Sequence, residues 1–377
     1  MKIDSLIVKG IEAKDDPYGA VVPPVYLAST YSQESLKTEN EYMYARGGNP
    51  TRGVLESLFA KIEGVRHAFA FSSGMAATSA VFSLFKSGDK ILLNNNVYGG
   101  TYRYATTLFP NQGIEFDLID DFAEVRMESV AAVFVETPSN PLLRVTDLER
   151  VAKLAHANGA LLIVDNTFLT PYFQNPFQFG ADISVHSATK YLSGHADLLA
   201  GLVSTDRDDL AARIKVIQNT LGGILNPMDS YSLIRGIKTL SVRLDRQEEN
   251  TCKIIKFLSQ HPAVSKLYYP GSHSDEERKV QEKQARGNGA VISLCLDEKY
   301  DQNTFVESLH FFDLAVSLGG VESLISHPAS MTHESFPKEL QEKIGITKNL
   351  LRLAIGIENA DDLIEDLSQA MEKSKGV

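Results

Sequence analysis

The chain has 377 residues and is 43% hydrophobic, which is enough to bury a large core and excludes a disordered or fibrous protein. Its length favours two or three folding units over one. The net charge of −11 and the pI near 5.4 oppose nucleic acid as a partner, because phosphate backbones are bound by clustered Lys and Arg.

The cysteines and the hydropathy pattern indicate whether the protein binds a metal, contacts a membrane or is exported. Cys252 and Cys295 are too few and too far apart to form a metal motif or a disulfide framework. The N-terminus lacks the apolar core of a signal peptide, and no apolar run reaches the roughly 20 residues that span a bilayer. We therefore expect no bound metal, no membrane partner and a location in the reducing cytoplasm.

The first elements in chain order are an arm and a series of strands. Residues 1–43 contain turn-forming residues, including Pro17, Pro23 and Pro24, with little periodicity, and predict an extended arm. Short β-rich runs then alternate with helical patterns, and this alternation predicts a mostly parallel sheet. The predicted strands cover residues 67–71, 90–93, 131–135, 160–164 and 183–186.

Helical patterns complete the predicted α/β fold. Residues 145–159 have the spacing of an amphipathic helix and end in Asn-Gly, a helix-stop signal. A long charged helix is predicted over 240–260, followed by scattered strands and a final amphipathic helix over 361–373. We therefore divide the chain into the arm, a first domain over 44–240 and a smaller α/β domain over 241–377.

Ligands of open α/β sheets bind at the carboxyl ends of the strands, so polar residues that follow a strand are candidate site residues. Ser73 and Gly74 lie after the strand at 67–71 and open a helix. Glycine lets the backbone approach an anion, and the free amides of a helix N-terminus bind phosphate. An ordinary Ser N-cap with a Gly turn explains the same residues, so this loop alone decides nothing.

Asp165 and Lys190 each end a strand run. A carboxylate at Asp165 can pair with a protonated ring nitrogen and keep a heteroaromatic cofactor a good electron sink, or it can cap the next turn. Lys190 follows the hydroxyls of Ser187 and Thr189, which point the same way in extended backbone and could bind one phosphate. A lysine in this position can form a Schiff base. About one crossover separates Asp165 from Lys190, which places both at the same rim.

Four segments of the chain form one pattern: His-Ser-Ala-Thr-Lys-Tyr-Leu-Ser-Gly-His at 186–195, Ser-Gly-Met at 73–75, Val-Asp-Asn-Thr-Phe at 164–168 and Thr-Pro-Ser-Asn-Pro at 137–141. Together they resemble the Cys/Met-metabolism family of pyridoxal 5'-phosphate (PLP) enzymes. The likeness runs in order through nearly the whole chain. It implies a fold type I PLP-dependent transferase-like fold, with the first domain as the PLP-binding domain and PLP carried by Lys190. His186 and His195 of this region are interpreted as structural.

The resemblance also implies an active site shared between subunits. Residues 44–52 resemble the family segment Tyr-x-Arg-x-x-Asn-Pro-Thr-Arg, whose Tyr and Arg bind the phosphate of the neighbouring subunit. Tyr44 and Arg46 then imply a homodimer with shared active sites, which in relatives usually pairs into a homotetramer. Arg suits this task because it neutralises a phosphate dianion through a bidentate contact. Without the family, a surface Arg beside a Gly-Gly turn is the simpler interpretation.

The remaining implied roles come from the same likeness. Tyr98 matches the ring-stacking tyrosine, which can also move protons, although a tyrosine packed under a Gly-Gly turn would look the same. Lys190 and Tyr98 are thus the implied catalytic residues, and Lys190 needs a lowered pKa to act as a base. The implied cofactor contacts are Tyr44, Arg46, Ser73, Gly74, Met75, Tyr98, Asp165, Ser187, Thr189 and Lys190. The implied contacts with a small amino-acid substrate are Asn140, Ser317 and Arg352.

A few residues that differ from those of relatives indicate which activity of the family to expect. Val316 and Met43 stand where several cystathionine-handling relatives have acidic residues that suit a distal ammonium group. Gly100 replaces the cysteine of typical methionine γ-lyases, and Arg103 resembles the cystathionine enzymes. We expect a carbon–sulfur lyase acting on L-cystathionine and related thioether or thiol amino acids, namely a cystathionine γ-lyase with or without β-lyase activity. Cystathionine γ-synthase and methionine γ-lyase remain the alternatives.

Overall fold

The computed structural model describes residues 1–11, 18–37, 40–122, 125 and 127–376. Part of the predicted arm, including Pro17, lies outside the described residues. The arm is not extended throughout, because helix α1 occupies Ile3–Lys9. Ile3, Leu6 and Ile7 follow the helical spacing, and Ile7 is fully buried in the same cluster as Leu58.

The larger sheet has seven strands. Their order is β1-β7-β6-β5-β4-β2-β3, and only β7 runs antiparallel to its neighbours. This confirms the predicted mostly parallel sheet. Two strands were not predicted: β3 is a partly exposed edge strand, and β7 is a short segment that begins with Gly and ends with Ser and Thr. The strands are β1 His67–Phe71, β2 Lys90–Asn94, β3 Glu115–Ile119, β4 Val130–Glu136, β5 Leu161–Asp165, β6 Ile183–Ser187 and β7 Gly201–Thr205.

The helices connected to this sheet have clear start and stop residues. The side chain of Asn49 accepts hydrogen bonds from the first amides of α2, and Gly64 ends that helix with φ 72°. Asp147 caps α6, and Gly159 follows it in the left-handed region, as the Asn-Gly stop signal predicts. The helices are α2 Pro50–Glu63, α3 Gly74–Phe82, α4 Gly99–Thr107, α5 Phe109–Gln112, α6 Leu148–Ala157, α7 Thr170–Phe173, α8 Asp208–Leu221 and α9 Pro227–Ile237, with a 3-10 helix at Pro176–Phe179.

The smaller sheet lies in the C-terminal part of the chain. Its strand order is β10-β11-β12-β9-β8, antiparallel except between β10 and β11. The strands are β8 Val264–Tyr268, β9 Val291–Leu296, β10 Asp313–Leu314, β11 Leu324–Ser326 and β12 Leu350–Ala354. The helices are α10 Leu240–Leu258, α11 Asp275–Gln284, α12 Gln302–Glu307, α13 Lys338–Lys343 and α14 Ala360–Ser374. Helices α10 and α14 match the predicted long and final helices, whereas the domain boundaries stay a prediction.

One apolar core joins the two sheets. It contains Leu202 of β7, Leu244 of α10 and Leu353 of β12, all fully buried. Burial of such side chains stabilises the fold by about 1.5–3 kcal/mol each. The shared core fixes β12 relative to the carboxyl ends of the central parallel strands. In the part of the chain that the structure describes, no helix has the length and apolarity needed to cross a bilayer.

Candidate active site

A cavity of about 670 Å³ opens at the carboxyl ends of β4, β5 and β6 and against the side of β12. Glu136 ends β4, Asp165 ends β5 and Ser187 ends β6, and all three line it. Arg352 reaches it from the smaller sheet. The sheet topology therefore brings strand-end side chains to one place, as the strand-end rule predicts.

Most of the predicted site residues meet in this cavity. Tyr44 and Arg46 do not line it: Tyr44 is exposed, and Arg46 Nη1 donates to the carbonyl of Asn219 at 2.8 Å. This placement is the one expected of residues that serve a second subunit, and that role stays a prediction. The predicted residues that line the cavity are Ser73, Gly74, Met75, Tyr98, Asn140, Asp165, Ser187, Thr189, Lys190, Ser317 and Arg352.

The N-terminus of α3 forms a tight cradle at the end of β6. Ser73 caps the helix, its Oγ accepting a hydrogen bond from the Ala76 amide at 3.1 Å. A Cβ added at Gly74 would lie 2.8 Å from Cβ of Ser187, so only glycine allows this approach. Ser73 thus acts as a cap and lines the cavity at once. The free amides of this first turn suit a phosphate.

Thr167 fixes the carboxylate of Asp165. Its amide and its hydroxyl both donate to Asp165 Oδ1, at 3.0 and 2.5 Å. The same hydroxyl accepts the amide of Ser187 at 2.8 Å, which ties β5 to the end of β6. Desolvation raises the pKa of Asp165, and the two Thr167 hydrogen bonds oppose that rise. Asp165 therefore caps a turn and also lines the cavity, and its pairing with a ring nitrogen stays a prediction.

Glu136 is a site residue that the sequence reasoning missed. It is buried, and its Oε1 accepts the amide of Tyr98 at 2.7 Å. Its own backbone is paired with the side chain of Asn94 through two hydrogen bonds, at 2.8 and 3.1 Å. Burial, and then the charge of Asp165, raise the pKa of Glu136 well above its ordinary value. Its position directly after the predicted strand 131–135 would have identified it.

Lys190 is an amine with altered acidity. Its Nζ donates to Ser317 Oγ at 2.6 Å. Desolvation, reinforced by the positive charge of Arg352, lowers the pKa of Lys190 to about 8. A substantial fraction of the amine is then neutral near neutral pH, as a base or nucleophile requires. Ser317 has φ 104°, a conformation that costs a non-glycine residue about 1–3 kcal/mol and that aims its hydroxyl at Lys190.

Arg352 is held between the two parts of the molecule. Its Nη1 donates to Asn140 Oδ1 at 2.9 Å, and its Nη2 donates to the carbonyl of Ser317 at 2.7 Å. Its buried Nε has no partner among the described residues. Burial lowers the pKa of Arg352 to about 10. A cationic group with an unused buried donor suits a carboxylate ligand.

Tyr98 and two histidines were also considered as site residues. Tyr98 is 44% exposed, and its ring lies against Gly100, where any Cβ would clash. It packs against the N-terminus of α4, which begins with Gly99 and Gly100 rather than with a turn, and it also lines the cavity. His186 lies behind the cavity, where Nε2 contacts Glu63 Oε1 at 2.5 Å, and His195 Nδ1 is 2.8 Å from the carbonyl of Ser193. Neither histidine lines the cavity, in agreement with a structural role.

A family model described as Cys/Met metabolism PLP-dependent enzyme matches residues 4–372. The chain belongs to this family. A cystathionine beta-lyase of Lactococcus lactis subsp. cremoris is 48% identical over 376 residues, 98% of this chain and 99% of that protein. A cystathionine gamma-lyase of Bacillus subtilis is 46% identical over 377 residues, 99% and 100% of the two chains. The crystal structure of cystathionine gamma-lyase from Lactobacillus plantarum complexed with L-serine superposes with a TM-score of 0.96, at 42% identity over 99% of both chains.

Family membership makes the enzyme PLP dependent, and its cavity fits this cofactor. Lys190 offers a partly neutral amine, and Asp165 offers a fixed carboxylate for a ring nitrogen. The cradle at Gly74 leaves room beside Ser187 that any larger residue would fill. These residues would hold the amine-reactive carbon, the ring and the phosphate, respectively.

Proposed function

We propose that this enzyme is a carbon–sulfur lyase that cleaves L-cystathionine, as a cystathionine γ-lyase with or without β-lyase activity. The observation that carries the proposal is the placement of Lys190. Its amine lines the same cavity as Asp165, which suits the cofactor ring, and Arg352, which suits a substrate carboxylate and whose charge acts on Lys190. The full-length likeness to a cystathionine beta-lyase and two cystathionine gamma-lyases supports the substrate.

The chain's own residues have separable tasks. Arg352, oriented by Asn140 and the Ser317 carbonyl, binds the α-carboxylate of the substrate. Lys190, when neutral, accepts the proton removed from Cα on its Nζ. PLP, when bound, supplies the electron sink for the resulting charge. In β-elimination the bond between Cβ and sulfur then breaks with its electron pair on sulfur, whereas in γ-elimination a proton must also leave Cβ before the bond between Cγ and sulfur breaks. In both cases protonation of sulfur releases the thiol. Tyr98, beside the same space, is a second group able to move a proton.

The test of this proposal is product analysis on the PLP-loaded protein. With L-cystathionine, pyruvate, ammonia and homocysteine would show β-elimination, whereas 2-oxobutyrate, ammonia and cysteine would show γ-elimination. Both outcomes support the lyase, and the Lys190→Ala variant should form neither keto acid. A parallel reaction contains an O-acylhomoserine and cysteine. Cystathionine formed there, with no keto acid from the first reaction, would overturn the lyase in favour of a γ-synthase.

We also propose that the enzyme is a homodimer with shared active sites, paired into a homotetramer. Tyr44 and Arg46 lie outside their own cavity, although phosphate binding is the role that the family likeness implies for them. Large apolar side chains are exposed in the preceding segment, including Leu27 at 70% and Met43 at 67%. Such exposure suits burial against a second copy. A reducing, cytoplasmic location is also proposed, since Cys252 and Cys295 are both unpaired.

A further inference from the structure

The charged side chains of the cavity fall into an inner and an outer group. Of the six that line it, Glu136 and Arg352 are buried, and Asp165 and Lys190 are partly buried. These four face the space assigned to the cofactor and the reacting end of the substrate. Arg103 and Glu334 are exposed and form the outer group. The mechanism gives neither of them a task.

The loop that carries Glu334 is fastened on its C-terminal side to the helix that carries Arg103. Two residues after Glu334, the ring of Phe336 stacks on Tyr102 of α4 with centroids 4.0 Å apart. The hydroxyl of Ser335 donates to the carbonyl of Gly99 at 3.3 Å. The backbone of Glu334 is therefore held at the same rim as Arg103.

The other side of Glu334 is fixed as well. His333 is fully buried, and its carbonyl accepts Gln341 Nε2 at 2.8 Å. The carbonyl of Thr332 lies so close to Gly99 that a Cβ there would collide with it. Fixed residues on both sides leave Glu334 with side-chain freedom only, so its carboxylate stays at the mouth of the cavity.

No other side chain among the described residues neutralises the charge of Arg103 or of Glu334. Among the described residues, neither the Arg103 guanidinium nor the Glu334 carboxylate forms an ion pair or a side-chain hydrogen bond. The same cavity is also lined by the apolar side chains of Leu199, Val316 and Met331. The cavity thus presents one cation and one anion together with apolar side chains, and a thioether chain that ends in an amino acid has the matching chemistry.

Two other positions that could pair with an ammonium group, Val316 and Met43, have no acidic side chain. Val316 lines the cavity at 57% exposure, and Met43 is 67% exposed outside it. Neither can pair with an ammonium group, although acidic residues at both positions would suit one. Among the described residues that line the cavity, Glu334 is therefore the carboxylate of the outer group that can pair with an ammonium group.

We infer that Glu334 determines substrate specificity by binding the distal ammonium group of L-cystathionine, the one on the half that leaves. This inference rests on the proposed function and adds a specificity residue to it. The distal carboxylate then lies toward Arg103. Removal of the Glu334 charge should weaken binding of the complete substrate and leave binding of a substrate without that ammonium unchanged.

The experiment compares two substrates on three PLP-loaded proteins: the wild type, Glu334→Gln and Glu339→Gln. Glu339 is an exposed residue of α13 outside the cavity, so its substitution is a matched loss of one charge. One substrate is L-cystathionine. The other is its analogue without the distal amino group, S-(3-carboxypropyl)-L-cysteine for β-elimination or S-(2-carboxyethyl)-L-homocysteine for γ-elimination. Keto acid release gives kcat and KM for each pair.

The expected result is a roughly tenfold lower kcat/KM of Glu334→Gln for cystathionine, mainly through KM, as for a lost charge-assisted hydrogen bond. Its kcat/KM for the analogue should equal that of the wild type, and Glu339→Gln should match the wild type on both substrates. An equal loss on both substrates, or no loss on either, would overturn the inference while the lyase activity stands. If the wild type cleaved neither substrate, the proposed function would fail, and the inference with it.

Discussion

Glu136 and Asp165 lie side by side at the ends of β4 and β5, where they are register partners of the parallel pair. Two carboxyl groups in one enclosed space cannot both be ionised at low cost, so their protonation is linked. Asp165 accepts two hydrogen bonds from Thr167, whereas Glu136 accepts one, from the Tyr98 amide. The higher pKa therefore belongs to Glu136, so Asp165 is the group that loses its proton first as the pH rises and that supplies the negative charge a protonated cofactor ring requires.

Replacement of Glu136 by Gln should leave a stable protein with a different pH dependence. Burial raises the pKa of Glu136 above its ordinary 4.5, so folded protein keeps a proton that the unfolded chain releases. The stabilisation that the protonated Glu136 side chain gives the folded state is fully present below pH 4.5, and it is lost as the pH rises through the pKa that Glu136 has in the folded protein. Glutamine has no such proton, so the Tm advantage of Glu136→Gln over the wild type should grow from about pH 5 to about pH 8.

Thermal unfolding across this range measures the difference. Glu339→Gln provides the control, because its carboxylate is exposed and its Tm should follow that of the wild type at each pH. A Tm difference between Glu136→Gln and the wild type that stays constant with pH would contradict a protonated Glu136.

The lowered pKa of Lys190 should be visible in its reaction with PLP. Neutral amine is the reactive form, so the rate of covalent attachment should rise with pH and reach half its maximum near 8 rather than near 10.5. Cofactor-stripped protein is mixed with PLP and reduced with borohydride, and the modified peptide is quantified by mass spectrometry. Arg352→Gln removes a neighbouring cation and should move the midpoint upward, whereas Lys190→Ala should give no adduct. A midpoint unchanged in Arg352→Gln would exclude the charge effect.

The sequence predicted this site well where a strand-end rule or a motif applied. The residues at positions 73–75, 165, 187, 189 and 190 follow predicted strands, and the structure places them in one cavity. Glu136 satisfied the same rule and was overlooked. Helix α1 was missed although Ile3, Leu6 and Ile7 have the helical spacing, because a seven-residue helix is too short to be stable by itself and is stabilised by burial of Ile7 against α2.

Glu334 shows what local pattern cannot reveal. The loop at 331–336 is distant in sequence from α4 and is held at the rim by the Phe336–Tyr102 stack and by the contacts of Thr332 and Ser335 with Gly99. No periodicity or spacing encodes that contact. Such a residue enters the site through tertiary packing, so only the folded structure could assign it there.

Substitution of Gly74 by Ala should selectively weaken cofactor binding. The new Cβ would lie 2.8 Å from Ser187 Cβ and Oγ, so α3 or the end of β6 must move and the cradle widens. We expect the PLP dissociation constant to rise at least about tenfold, as for the loss of one hydrogen bond to a charged group. Gly223→Ala is the matched control, because its Cβ would meet Ala76 at an ordinary 3.6 Å. Fluorescence titration with PLP measures both; equal affinities in the two variants would argue against the cradle.

The proposed sharing of active sites between subunits predicts that two defective variants restore each other. In Arg46→Ala the defect lies in the partner's phosphate contact, and in Lys190→Ala it lies in the subunit's own cavity. A mixed dimer of these chains has one site with both residues intact, so a randomly reassembled mixture should regain about one quarter of the wild-type activity. The measurement is keto acid release from cystathionine after co-expression of the two variants.

A mixture of Asp165→Asn and Lys190→Ala distinguishes this explanation from a general effect of mixing. Both defects then lie in the cavity of a single chain, since Asp165 and Lys190 line the same space. Every site of the mixed dimer keeps one defect, so this pair should recover no activity. Recovery in the control pair, or none with Arg46→Ala, would show that Arg46 does not serve the neighbouring site. The contacts of the exposed Arg46 with the Asn219 carbonyl and the Tyr44 ring would then be local surface contacts.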